Sequence, residues 1–314
     1  MDEQAKENLR IATIEWLNQS KDHTQSLLAE KTAISITYIN QVVNKKWSEK
    51  YPSLSVWQEL ARFHGWEYHI DSQNYKSITA LLSRAKDEKG RFAVNGSISG
   101  EGKTYAARKF CENTPQAYHI VCRESMKAKG LLRSVAKRLK IREYSRMDVA
   151  QLEDEIADFL KAKGGVLVFD ECEYLETKKA ALGSIKAICD LVEGRAGVVM
   201  IGLEIQQMLD YMLSLKRNRG VKQLKRRFNF KWLETTQITE KEIKNFCEFN
   251  SITNEHAIAW FINQVDNYDT LMILVKDALR VLKKAKKKLL KEGDKAAADV
   301  LVIDVDFLNE VFQS

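Results

Sequence analysis

Short apolar runs, rich in β-branched residues, break an otherwise helical pattern in the middle of this chain. They fall at Arg91–Asn95, Ala117–Cys122, Gly165–Phe169 and Gly197–Ile201, with Lys231–Thr235 as a weaker fifth. Between them lie stretches of helical period: Lys103–Cys111, Leu131–Leu139, Val149–Lys161 and Lys179–Val192. Runs this short, with few polar positions, suit strands buried on both faces, and their alternation with helices predicts an α/β parallel sheet. Upstream the period is helical throughout. Thr24–Thr32 is amphipathic, Ala33-Ile34-Ser35 breaks it, and Ile36–Asn44 resumes it, with Leu28, Ala29, Ile34 and Ile39 as a small apolar core. Trp57, Phe63 and Trp66 extend that core across Trp47–Tyr68. The polar stretch 71–90 reads as a linker carrying a helix over Ile78–Lys86, and from Thr239 the chain is helical again apart from a loop at Glu292–Ala296. The expected divisions are 1–70, 71–90, 91–237 and 238–314.

The first predicted strand runs into Gly-Ser-Ile-Ser-Gly-Glu-Gly-Lys-Thr at residues 96–104. Strand, glycine-rich turn, Gly-Lys-Thr and helix form the order of a P-loop, whose backbone N–H groups turn towards phosphate oxygens. Gly96, Ser97, Ser99, Gly100, Glu101, Gly102, Lys103, Thr104 and Tyr105 are the candidate ATP contacts. Strict spacing puts the first glycine of the motif at Ser97, so Gly96 stands one position early. Lys103 would reach the β- and γ-phosphates and the Thr104 hydroxyl would ligate Mg²⁺. The third predicted strand, Val-Leu-Val-Phe, ends at Asp170-Glu171. There Asp170 would hold the Mg²⁺ shell and Glu171 would deprotonate the attacking water. A helix-capping Asp-Glu pair is the plain alternative; the two motifs together, in this order, argue for an ATPase core.

Charge adds a partner. The net charge of +7 is uneven: residues 1–90 hold 12 basic and 12 acidic side chains, residues 91–231 hold 27 against 17, and residues 232–314 hold 11 against 14. The surplus on the presumed ATPase core points to a polyanion, and Lys127, Lys129, Lys140, Arg142 and Arg146 are the candidate contacts to double-stranded DNA, largely independent of its sequence. Part of that cluster is equally a solvated helix face. Residues 24–44 resemble the helix-turn-helix of phage repressors, with Ser35, Thr37, Tyr38 and Gln41 on the exposed face of the second helix. A helical domain for protein contacts is the alternative. Five cysteines without a C-x-x-C pair fit a reduced, cytoplasmic protein, and no apolar run nears the roughly 20 residues of a membrane span.

Taken in order, the helix-turn-helix, P-loop, Val-Leu-Val-Phe-Asp-Glu, Leu224-Lys-Arg-Arg-Phe228 and helical C-terminus resemble the phage Mu transposition protein B family of AAA+ ATPases, related to IstB-type helper proteins. The closing Val300–Phe312 also looks like that family's last segment. The resemblance implies a P-loop AAA+ parallel-sheet core with an N-terminal all-α helix-turn-helix domain and a C-terminal α-helical lid. It implies ATP-dependent self-association on DNA, as a ring or helical filament, and a transposase as client. Within the basic run Lys216–Lys231, Arg227 is the expected finger towards a neighbour's γ-phosphate, with Arg226 second. Leu203 and Met272 stand where such proteins carry a polar sensor and a second arginine; Glu204 and Arg280 are the nearest substitutes. Slow hydrolysis, with ATP as an assembly switch, is the implied behaviour. A helicase loader or replication initiator, and an ATP-switched transcriptional regulator, share these motifs and remain open.

Overall fold

Leu9, Leu28, Ile39, Val42, Trp57 and Leu60 close a small core between four helices at the start of the chain. These are α1 (Glu3–Asn18), α2 (Gln25–Thr32), α3 (Ile36–Val43) and α4 (Leu54–Phe63). Thr24 and Ser35 cap α2 and α3 with their hydroxyls, and Ala33 between them is left-handed at φ 57°. The computed structural model describes residues 3–48, 52, 54–64, 72–215, 219–228 and 232–312; Trp66, Tyr68, Lys216 and Lys231 lie outside them. By its packing the chain groups into two units. Met1–Ile70 goes with Glu240–Gln264 and Leu274–Ser314, and Asp71–Thr239 goes with Val265–Ile273.

The second unit holds the sheet. In chain order it comprises α5 (Gln73–Asp87), β1 (Arg91–Gly96), α6 (Lys103–Asn113), β2 (Ala117–Val121), α7 (Ala128–Arg138), α8 (Val149–Lys163) and β3 (Val166–Asp170). There follow α9 (Lys179–Leu191), β4 (Gly197–Leu203), α10 (Ile205–Ser214), α11 (Arg219–Arg227) and β5 (Trp232–Glu234). All five strands run parallel in the order β2-β3-β4-β1-β5. The β3 residues Val166–Asp170 are all buried, as strands covered on both faces must be. One face packs Val94, Val168 and Ile201 against α5 and α6; the other packs Phe169, Val198 and Met200 among Leu132, Ile156, Ile185 and Leu209. This is the AAA+ P-loop fold, and the strands ending at Gly96, Asp170 and Leu203 bring those residues to the carboxyl end of the sheet.

The linker expected over 71–90 is corrected. Ile78, Leu82 and Ala85, spaced by four and three residues, form one stripe of α5 and are fully buried against the sheet. Ser72 caps the helix by accepting the Tyr75 N–H. Asn74, also buried, donates to the carbonyls of Glu101 (3.2 Å) and Thr236 (2.7 Å), so α5 braces the glycine loop. Three apolar positions in a polar stretch are enough to make it part of the core.

The remaining helices are α12 (Glu240–Phe249), α13 (Glu255–Gln264), α14 (Tyr268–Lys291), α15 (Lys295–Val300) and α16 (Val305–Phe312). In the first unit α13 and α16 are joined by Trp260, which stacks on Phe312 and donates to Asn309 at 3.2 Å. Among the described residues no helix is long and apolar enough to cross a membrane.

Candidate nucleotide-binding site

The loop after β1 is shaped by what glycine permits. Gly96 ends the strand beneath the Lys103 side chain: a Cβ there would lie 2.1 Å from Lys103 Nζ. Ser97, where strict spacing puts the first glycine, has a different task. Its hydroxyl donates to Glu101 Oε1 at 2.9 Å. Gly100 is left-handed (φ 80°) and abuts Asn267, while the Tyr268 N–H donates to its carbonyl at 3.0 Å. Gly102, also left-handed, starts α6 without a side-chain cap, an arrangement that suits an anion.

Lys103 is held in place. Its ammonium donates to Ile98 O (2.9 Å) and to Glu101 Oε2 (3.0 Å), and Glu101 also accepts from the Thr235 hydroxyl. Burial raises the Glu101 carboxyl pKa, but the hydrogen bonds from Thr235, Lys103 and Ser97 outweigh it and leave the group below its ordinary value.

Across the cavity β3 delivers two carboxylates. Asp170 is 1% exposed; its Oδ1 accepts the Glu171 N–H at 3.0 Å and its Oδ2 lies 2.9 Å from His119 Nε2. Glu171 follows in the left-handed region at φ 56°, uncommon for a residue with a side chain and frequent at functional sites. Its pKa is raised, first by burial and then by the neighbouring Asp170 and Glu173. A carboxyl so tuned is a better proton acceptor at neutral pH than an ordinary glutamate. Glu173, on the turn Cys172–Leu175, reaches over to accept the Leu203 N–H at 3.1 Å.

The cavity between these walls, about 260 Å³, is lined by Ser99–Tyr105, Asp170, Glu171, Glu173, Gly202, Leu203 and Asp269. A helix start without a side-chain cap, an ammonium and a hydroxyl on one side, with Asp170, Glu171 and Glu173 opposite, is a donor set that fits a magnesium-bound triphosphate. Lys103 and the α6 N–H groups would meet phosphate oxygens, and Thr104 with Asp170 would hold the metal.

The AAA domain family matches residues 89–209. This segment is an AAA-type P-loop ATPase domain. Among solved structures, a Walker-type ATPase of Pyrococcus abyssi shares the fold, with 12% identity and a TM-score of 0.50 over 73% of this chain and 77% of its own. The Aeropyrum pernix Orc1 protein, solved in complex with DNA, matches with 14% identity and a TM-score of 0.49 over 68% of this chain. The match spans 60% of that protein's length. Domain III of the Thermotoga maritima replication initiation protein DnaA gives 15% identity and a TM-score of 0.49 over 78% of this chain and 93% of its own. Curated protein sequences give no match.

Several expected residues fall elsewhere. Gly96 and Ser97 support the ATPase loop from beneath instead of lining its cavity. At the sensor position Leu203 lines the wall, while Glu204 is exposed in the left-handed region at the start of α10. Asp269, in the first turn of α14, lines the cavity where Met272 was expected; Arg280 is exposed and pairs with Asp277 at 2.8 Å. Arg227 pairs with Asp190 and donates to Gln223 O at 2.8 Å, and Arg226 is exposed.

The five candidate basic contacts flank α7: Lys127 and Lys129 sit at its start and Lys140, Arg142 and Arg146 beyond its end, about 16 Å of helix apart. At the start of α3 the cap Ser35 is exposed, as are Ile36, Thr37 and Asn40 on the helix; Tyr38 and Gln41 are half-buried. Tyr38 leans on the core that Ile39 and Val42 anchor.

His119, Glu173 and Asp269 escaped the sequence reading. Glu173 had a signal, being a third carboxylate just beyond Asp170-Glu171. His119 had none in the sequence, because it lies 51 residues from its partner.

Proposed function

We propose that this chain binds ATP with Mg²⁺ in the cavity described and hydrolyses it slowly, using the bound state to switch self-assembly on duplex DNA. The observation that carries the reading is the convergence of Lys103, Thr104, Asp170 and Glu171, from two distant segments, on one cavity. Glu171 accepts a proton from water as that water attacks the γ-phosphorus and the bond to the departing ADP breaks. The apolar Leu203 wall offers that water no polar sensor, which supports slow turnover. Arg227 of one protomer completes the neighbour's site, in a ring or a helical filament; Asp190 holds the guanidinium until then.

The surplus of basic residues over 91–231 and the exposure of Lys127, Lys140, Arg142 and Arg146 support DNA as the partner. Ser35 and Thr37 on α3 offer a second contact. The resemblance to the phage Mu protein B family gives the assembly its role: marking target sites and stimulating a transposase, in the cytoplasm. Sedimentation with a non-hydrolysable ATP analogue and long duplex DNA should show large species for the wild type and small ones for Arg227→Ala. A wild-type protein that stays monomeric with both ligands would overturn the assembly reading.

A further inference from the structure

Asp170 is a buried carboxylate of the site, and a side chain on a different strand holds it. His119 lies on β2, the edge strand, in register with Val168 of β3, and Asp170 is in register with Val121. The two residues therefore occupy diagonal positions on one face of adjacent strands, a spacing that a long side chain can bridge. His119 Nε2 is 2.9 Å from Asp170 Oδ2, with the two side chains 10% and 1% exposed. A carboxylate only accepts, so Nε2 carries the proton and donates it. The second oxygen is committed too, to the Glu171 N–H. Each oxygen keeps a lone pair beyond its protein partner, and the carboxylate borders the cavity.

We infer that His119 is a positioning residue: it fixes the Asp170 carboxylate in the orientation in which it takes up Mg²⁺ with the nucleotide. This rests on reading the cavity as a magnesium–nucleotide site. The reasoning is general. A ligand carboxylate free to rotate must be ordered when the metal arrives, whereas one already clamped by outer hydrogen bonds has little left to lose. Removing such an outer partner lowers metal affinity about 10- to 100-fold even though the ligand itself stays. A side chain that merely closed the β2–β3 edge would affect folding without singling out the metal.

The test is a titration of a fluorescent ATP analogue on the full chain, in EDTA and over a series of MgCl₂ concentrations. Wild type should bind more tightly as Mg²⁺ rises. His119→Ala should bind like wild type in EDTA and need about 10- to 100-fold more Mg²⁺ for the same gain. His119→Gln, which keeps an N–H donor on a side chain of similar reach, should recover most of it. If His119→Ala fails to fold by thermal melting, His119→Phe fills the space without a donor and must show the same Mg²⁺ loss. An unchanged Mg²⁺ requirement in a folded donor-less variant overturns the proposal while leaving the nucleotide site intact. Absence of Mg²⁺-dependent binding in the wild type overturns both.

Discussion

The nucleotide cavity and the basic loop after α7 are built on opposite principles. In the cavity each of three charged groups already has partners: Lys103 with Ile98 O and Glu101, Asp170 with Glu171 N and His119, Glu173 with Leu203 N. Around the loop, Lys140 and Arg142 are exposed, and Arg146 makes a distant pair with Glu143 at 3.9 Å. Chemistry at a phosphorus atom depends on geometry set in advance, whereas a duplex backbone is met by cations free to adjust. Single changes should therefore be severe in the first region and mild and additive in the second.

The sharpest break is at Glu171. Glu171→Gln keeps the shape of the side chain and removes its basicity. Turnover should fall about 10²- to 10⁴-fold while nucleotide affinity stays within a few-fold of wild type. A phosphate-release assay beside a binding titration separates the two. Equal loss of both would make Glu171 a structural residue.

The scaffold behind the loop comes next. Leu82→Ala on α5 should destabilise the sheet unit by about 2–5 kcal/mol, measured by denaturant unfolding. A linker helix would tolerate the change, so a loss under about 0.5 kcal/mol would return 71–90 to that role.

A pH profile sharpens the electrostatic side. The Glu171 pKa is raised by burial and by Asp170 and Glu173, and the base works only when deprotonated. Turnover should thus decline as pH falls through that raised value, starting above the range of an ordinary glutamate and losing about tenfold per pH unit below it. A plateau that persists down to the pKa of an exposed carboxyl contradicts the tuning.

In the basic loop the effect should be smallest. Replacing Lys140, Arg142 and Arg146 with Ala should weaken binding to unrelated duplexes alike. It should also flatten the salt dependence, by about 0.9 log units per decade of salt for each phosphate left unneutralised. Fluorescence anisotropy across a salt series reads this directly. A sequence-selective loss would move DNA reading to α3, where Ser35 and Thr37 are exposed.

Much of this arrangement was legible in the sequence, for physical reasons. Strands covered on both faces leave apolar runs, so β1, β3 and β4 stood out, and the glycine loop and Asp170-Glu171 carry their chemistry in adjacent residues. The helix α5 was misread because Ile78, Leu82 and Ala85 make a narrow inward stripe on an otherwise polar segment. The hold of His119 on Asp170 comes from strand register, which no local pattern encodes.

The central claim is that Lys103 and its loop form the phosphate site. Titrating a fluorescent ATP analogue with Mg²⁺ into wild type and Lys103→Ala tests it most directly. Among the described residues Lys103 is the one side-chain cation lining the cavity, so the substitution should abolish measurable binding while the melting temperature stays close to wild type. Unchanged affinity in a folded Lys103→Ala protein would contradict the account.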